Sequence, residues 1–300
     1  MPFRHEPVLV EETLSTWVTD PRGWYLDGTV GGGGHAEALL SRFPAARLLG
    51  LDRDPAAIGA SRMRLDRFGD RVRLVQGDFA DLERMAGDLP VAGILLDLGV
   101  SSAQLDDPGR GFSWQENGPL RMTLDGEARR GAAELLAEAK EGDLKRIFRD
   151  LGELPGAGRA ARAVISARDQ GRLETTDALA RVLRGAGIGR PRRLSQAFQA
   201  LRLAVNHELE SLDRGLEAAG RVLPAGGTLT AISFESLMDR KVKRTFRPPR
   251  TGRPLPGVPD PEPRWKVLTP RAVRPGADEI ARNPRARSAR LRAGERTAHA

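Results

Sequence analysis

The sequence predicts a doubly wound, Rossmann-like α/β sheet interrupted by a helical insertion. Three observations carry this expectation. Short continuous apolar runs alternate with helix-like stretches through the first hundred residues, strand signals vanish over 106–193, and a buried strand returns at 228–234. Continuous rather than alternating apolar runs mark strands covered on both faces, as in a parallel sheet. The βαβα order then places helices on either side of it.

Trp24–Asp27 is the first predicted strand. The loop Asp27-Gly-Thr-Val-Gly-Gly-Gly-Gly-His35 leads from it into a helix over Ala36–Arg42. Ala46–Asp52 is the second strand, and Pro55, suited to a first helical turn, opens a helix to about Phe68. Val72–Gln76 and Ile94–Asp97 complete a first run of four strands. From 106 to 193 the chain offers charged helical segments broken by Gly and Pro, such as Gly131–Leu151 and Thr175–Arg184. Leu194–Leu223 reads as one long helix with an apolar face at Phe198, Leu201, Val205, Leu209 and Leu212. Pro224–Gly227 is a turn before the strand Thr228–Phe234. Residues 247–263, rich in Pro, Arg and Gly, read as a mobile loop, and 282–296 supplies an edge strand. The expected domains are 1–105 with 194–300, and an inserted substrate-recognition domain over 106–193.

Composition narrows the function. Three hundred residues with 40% hydrophobic and 29% charged side chains fit a soluble globular protein. No apolar run approaches the ~20 residues of a membrane span, and Met-Pro-Phe-Arg-His-Glu has no apolar stretch behind it to act as a signal peptide. A cytoplasmic protein without membrane contact is the expectation, and monomer and homodimer both stay open. The chain has no cysteine, which excludes disulfides, thiolate metal sites and a cysteine nucleophile. The four histidines (His5, His35, His207 and His299) share no ligand spacing, so no metal is expected. Residues 240–300 hold 17 Lys/Arg against 5 Asp/Glu, a local balance of +12 in a chain of net +8. A basic segment on a mildly acidic body suits a polyanion, RNA foremost; the bland alternative is a genome-wide arginine bias.

Gly31-x-Gly33-x-x-Ala36 with Asp52 downstream formally fits a dinucleotide fingerprint. Asp27 at the strand end would repel a pyrophosphate but attract a sulfonium and an ammonium. A P-loop is excluded because no Gly-Lys-Ser/Thr follows. Four acids, Asp27, Asp52, Asp78 and Asp97, stand at successive strand ends, which converge on one ligand crevice in a doubly wound sheet. This pattern favours S-adenosylmethionine over NAD. Asp52 suits the ribose hydroxyls, Asp78 and the Phe79 backbone suit adenine, and Asp97 lies nearest the methyl group. Helix capping is the competing reading, more natural for Asp54 or Asp81. His35 opens the helix after the loop, where a methionine carboxylate could sit.

His5-Glu-Pro-Val-Leu, the glycine loop, Leu51-Asp-Arg-Asp-Pro55 and Gly93-Ile-Leu-Leu-Asp-Leu-Gly-Val-Ser-Ser-Ala-Gln-Leu-Asp106 resemble the bacterial RsmH (MraW) family. The likeness continues through Arg110–Trp114, Phe198–Asn206, Ile232–Phe234 and Asn283–Ser288. It implies a class I methyltransferase sheet with a helical insertion and N4 methylation of cytidine 1402 in 16S rRNA of the small ribosomal subunit. It also implies cofactor contacts from Gly33, Gly34, His35, Asp52, Phe79, Asp97 and Gln104.

Cytosine C5 methylation ordinarily needs a thiolate, which this chain lacks. An exocyclic amine needs instead a hydrogen-bond acceptor and alignment with the methyl donor. Asp97, or a carbonyl within Leu98–Val100, is the candidate, as base or as acceptor. Other amino-methyltransferases carry Asp/Asn-Pro-Pro-aromatic here, and this chain has Asp97-Leu-Gly-Val. Phe112, Trp114 and Phe234 are candidates for stacking a splayed base, with core packing as the alternative for each. Three segments depart from the family pattern: Arg121-Met-Thr-Leu-Asp125, Arg193-Leu-Ser-Gln-Ala197 and Glu235-Ser-Leu-Met-Asp-Arg240. The competing functions are methylation of another amine in RNA or protein, a non-catalytic RNA-binding assembly factor and, more remotely, an NAD oxidoreductase.

Overall fold

The computed structural model of the protein describes residues 7–125, 130–247 and 264–298. After α1 (Val10–Trp17) come β1 (Trp24–Asp27), α2 (Gly34–Arg42), β2 (Arg47–Asp52), α3 (Pro55–Leu65), β3 (Val72–Gln76), α4 (Leu82–Ala86) and β4 (Val91–Leu98). The helices α5 (Ser102–Asp106), α6 (Ala132–Glu138), α7 (Glu141–Arg146), α8 (Ala157–Asp169), α9 (Thr176–Gly185) and α10 (Pro191–Val205) follow. The chain then runs through α11 (Glu208–Val222), β5 (Thr228–Ser233), α12 (Ser236–Phe246), β6 (Trp265–Val267), α13 (Ala277–Arg282) and β7 (Arg290–Arg296).

Two compact units result, 1–99 with 210–300, and 100–209. The first holds a seven-stranded sheet in the order β3-β2-β1-β4-β5-β7-β6. Strands β1 to β5 run parallel and β7 is antiparallel to both of its neighbours. Strand order reverses between β1 and β4, the place where a doubly wound sheet opens a ligand crevice at its carboxyl edge. The central strands β1 and β5 are buried throughout, as their unbroken apolar runs predict. Strand β3, at the sheet margin, is half-exposed instead, and Val75 faces solvent.

Local chemistry sets the boundaries. Asp54 accepts a hydrogen bond from Ala56 N–H and caps α3, with Pro55 in its first turn. Helix α2 starts at Gly34 because Gly33 turns into the left-handed region at φ 79°. Beneath it, Trp17 and Tyr25 stack edge to face at 5.6 Å among Leu14, Leu39, Leu48 and Leu95.

Three expectations need correction. The long helix over 194–223 is two helices, α10 and α11, broken at Asn206-His207. The Asn206 amide donates to the Met122 and Arg202 carbonyls at 2.7 and 2.8 Å and accepts from Leu124 N–H at 2.8 Å. Beyond it His207 is exposed with φ 51°, in a left-handed turn rather than on a helix surface. Helix α10 joins the inserted unit because Leu194, Phe198 and Leu201 pack into that unit's core with Leu144, Phe148 and Leu183. The insertion is therefore wider than 106–193. Finally, the tail strand is not the sheet edge: β7 lies between β5 and β6, a short strand that the loop-like composition of the preceding residues hid. Most of the Pro- and Arg-rich stretch 247–263 lies outside the described residues, as do His5 and His299.

Candidate active site

The sheet unit gathers carboxylates at the carboxyl edge of its strands. Asp27 ends β1, Asp52 ends β2, Asp78 lies two residues past β3, and Asp97 is the penultimate residue of β4. The loop after β1 is pinned from both sides. Gly28 N–H donates to the Leu95 carbonyl at 2.9 Å, Val30 N–H to Leu51 at 2.8 Å, and the Ser61 hydroxyl to the Gly31 carbonyl at 2.6 Å. Gly28 cannot gain a side chain, since a Cβ there would lie 2.6 Å from Leu96 and 2.9 Å from Phe79. At Gly34 a Cβ would press on the Pro7 ring at 2.9 Å.

Asp27 is buried and accepts the Thr29 N–H at 3.0 Å. Burial, reinforced by the nearby charges of Asp97 and Asp52, pushes its carboxyl up to about 8. Burial likewise lifts Asp52 to about 6, although Asp54 N–H and Gly31 N–H both donate to it at 2.9 Å. Crowded, dehydrated carboxyls of this kind are poorly compensated by the chain itself and suit a cationic ligand. One expected result follows. The folded Asp27 keeps its proton up to about pH 8 and the unfolded one loses it near 3.8. Its contribution to stability is thus full below that lower value and is lost as pH rises through the folded one. Asp27→Asn should flatten the fall in Tm across this window in pH-resolved thermal unfolding. An unchanged slope would show that Asp27 is already ionised.

Asp97 carries the remaining geometry. Its N–H donates to the Thr29 hydroxyl at 2.6 Å, tying β4 to the loop. Its Oδ2 lies 3.7 Å from His35 Nδ1, whereas its Oδ1 is buried with no hydrogen-bond partner among the described residues. Leaving a carboxylate oxygen in that state costs free energy unless a ligand donates to it. His35 is buried, with Nε2 2.9 Å from the Val8 carbonyl, so its ring lies between protein groups. That differs from a ring free to receive a carboxylate.

Asp78 is more committed to structure than its position suggests. Its Oδ1 accepts the Ala80 N–H at 2.9 Å, capping the helical turn Phe79–Asp81. Its Oδ2 accepts the Ser211 hydroxyl at 2.8 Å and lies 3.4 Å from Arg53. Capping thus belongs to Asp78 as well as Asp54, whereas Asp81 makes no side-chain cap. Phe79 fits against glycines, since a Cβ at Gly215 would stand 2.5 Å from its ring.

Gln104, Phe112 and Trp114 belong to the inserted unit. Gln104 Oε1 accepts the Ser101 N–H at 2.9 Å in a capping box that starts α5. Phe112 is a core residue there, with Arg110 5.8 Å from its ring centroid, so it offers no open stacking face. Trp114 is half-buried, donates to the Ser195 hydroxyl at 3.1 Å and carries Arg184 over its ring. Phe234 stands instead in the sheet unit, half-buried just beyond β5. A Cβ on Gly99, one residue past β4, would lie 3.6 Å from its ring. Arg121 is exposed and Glu235 is half-buried at the start of α12.

Thr29, Ser61, Ser211 and Arg53 went unanticipated. Thr29 was legible, being a hydroxyl between two acidic strand ends. Ser211 was not, because only the tertiary fold brings α11 to Asp78. No group of metal-ligating side chains occurs among the described residues, and no described helix is long and apolar enough to cross a membrane.

A Rossmann-like sheet with an antiparallel β7 and four carboxylates at its carboxyl edge is compatible with the methyltransferase class, which the family match establishes. The MraW methylase family profile matches residues 2–297. A ribosomal RNA small subunit methyltransferase H of Thermomicrobium roseum is 45% identical over 310 residues, covering 98% of this chain and 94% of its own. That of Trichlorobacter lovleyi is 43% identical, covering 98% of each. A solved rRNA methylase from Streptococcus thermophilus aligns with 96% of this chain and 93% of its own at 10% identity and a TM-score of 0.43. This chain belongs to the MraW methylase family.

Proposed function

We propose that the protein transfers a methyl group from S-adenosylmethionine to the exocyclic N4 of a cytidine in 16S rRNA of the small ribosomal subunit, at cytidine 1402, in the cytoplasm. Family membership and the names of the relatives support the reaction class and the rRNA substrate. The observation that carries the reading is the buried, unpartnered Oδ1 of Asp97 at the end of β4.

The residues fit the cofactor. Asp27 is a buried carboxyl whose ionisation a bound cation would favour, Asp52 retains lone pairs for ribose hydroxyls, and Gly33, Gly34 and Phe79 present backbone at close range. Asp78 completes the set in the sheet unit, with part of its hydrogen-bonding capacity already used by its cap; resemblance to the family alone adds Gln104. When bound, S-adenosylmethionine supplies an electrophilic methyl on a sulfonium. Asp97 Oδ1 accepts a hydrogen bond from the amine as its nitrogen loses planarity, and a preformed acceptor needs no reorganisation during the reaction. His35 braces the other oxygen. Phe234, just beyond β5 in the same unit as Asp97, holds a splayed base, and Trp114 serves the RNA from the inserted unit, whose role is substrate recognition. Without cysteine, no thiolate can add to C6, which closes the covalent route to C5, whereas an exocyclic amine needs no such intermediate.

Incubation with labelled S-adenosylmethionine and 30S subunits from a strain lacking the enzyme, followed by nucleoside mass spectrometry, should yield N4-methylcytidine. Label at any other position would overturn the reading.

A further inference from the structure

The segment Arg282-Asn-Pro-Arg-Ala-Arg-Ser-Ala-Arg290 carries four arginines and no acid, and the functional reading above gives them no task. Sheet register says where they stand. Asp97 pairs with Ile232 and Ile232 with Leu291, while Leu98 pairs with Ser233 and Ser233 with Arg290. Two strand spacings separate Asp97 from Leu291, about 10 Å. Because β7 runs antiparallel, the turn that precedes it lies at the carboxyl edge of β5, the same edge that carries Asp97 and Phe234.

The turn is built to present its charges. Residues 284–288 form a short 3-10 helix, started by Asn283, whose side chain accepts from Arg285 N–H at 3.2 Å. Its three-residue repeat sends Ala286 and Ala289 inward, both fully buried, to pack with Val8, Leu9, Ile232 and Leu291. Phe234 packs on that same cluster. Arg282, Arg285 and Arg287 are left facing solvent. A rigid turn with outward guanidinium groups matches phosphates, which arginine binds in a fork geometry.

We propose that this turn is a phosphate-binding rim. Arg282, Arg285 and Arg287 hold the RNA backbone beside the target nucleotide, so that the base next to Phe234 is offered to Asp97. The inference rests on the RNA reading above and adds to it where the strand lies. Phosphate contacts position a strand without reading sequence, so the rim governs affinity rather than the choice of base.

The test uses the whole protein and unmethylated 30S subunits. Arg282→Ala/Arg287→Ala should raise KM about tenfold at physiological salt. It should also make the plot of log affinity against log salt shallower by about 1 per arginine removed. Cofactor affinity by calorimetry and kcat should stay as in the wild type, which also shows that the variant is folded. Arg22→Ala, which removes an exposed cation at the opposite edge of the sheet, should leave both KM and slope unchanged. If wild-type binding to 30S subunits shows no salt dependence, the RNA reading fails and the rim with it. If wild-type binding is salt-dependent but the double variant matches it, or Arg22→Ala loses as much, the rim alone is overturned.

Discussion

Asp97→Ala should lower single-turnover methyl transfer by about 10²–10³-fold, the usual loss when one preorganised hydrogen-bonding group is removed from a reacting centre. The expectation stems from an oxygen that is buried without a partner while its twin faces His35. Asp97→Asn divides the two possible roles, since an amide keeps an acceptor oxygen but cannot take a proton. If Asp97 is only an acceptor, the asparagine variant recovers much of the rate; if it is a base, the variant is as slow as alanine. Retention of more than about a tenth of the wild-type rate by Asp97→Ala would remove this residue from the mechanism. Removing its charge should also bring the Asp27 carboxyl down, because Asp97 is among the causes that raise it.

Arg202→Ala should destabilise the inserted unit by about 3–5 kcal/mol, the range for stripping one partner from a buried ion pair. Arg202 meets Glu208 through two hydrogen bonds of 2.7 and 3.1 Å, with side-chain exposures of only 8% and 7%. The pair spans the break between α10 and α11. Arg202→Met/Glu208→Leu should recover most of the loss, because an apolar pair of similar volume leaves no uncompensated charge. Denaturant unfolding of wild type, single and double variants measures this directly. Equal loss in the single and the double variant would show that shape, not charge, holds the break.

Strand positions in the sheet unit were legible because burial on both faces writes itself as an unbroken apolar run. Trp24–Asp27 matches the structure residue for residue, and so does Val72–Gln76, although that strand is half-exposed and its run is interrupted by Arg73. The break at Asn206 was not legible, because an apolar stripe continues straight through it. What stops the helix is the peptide backbone at 122–124, far away in sequence. Strand β6 is three residues long, too short for any periodicity. In the candidate site the four carboxylates could be read from their recurrence at strand ends. Their partners could not: Ser211 reaches Asp78 from 133 residues away, and the Val8 carbonyl approaches His35 only through the fold. The aromatic candidates show the same limit. Phe112 and Trp114 lie in a polar, glycine-rich stretch that suggests exposure, yet one is core and the other half-covered.

The pairing of β4 with β5 has a consequence for how the chain matures. Leu98 and Thr228 lie in neighbouring strands although the whole inserted unit separates them in sequence. Before that unit collapses, bringing the two strands together means closing a loop of more than a hundred residues, an entropic cost that grows with loop length. An insertion that folds first shortens the effective loop. Strand β7 then wedges between β5 and β6, so the sheet cannot be finished until residues 290–296 have been synthesised. The nascent chain therefore carries its glycine loop and all four carboxylates long before it owns a stable crevice to put them in.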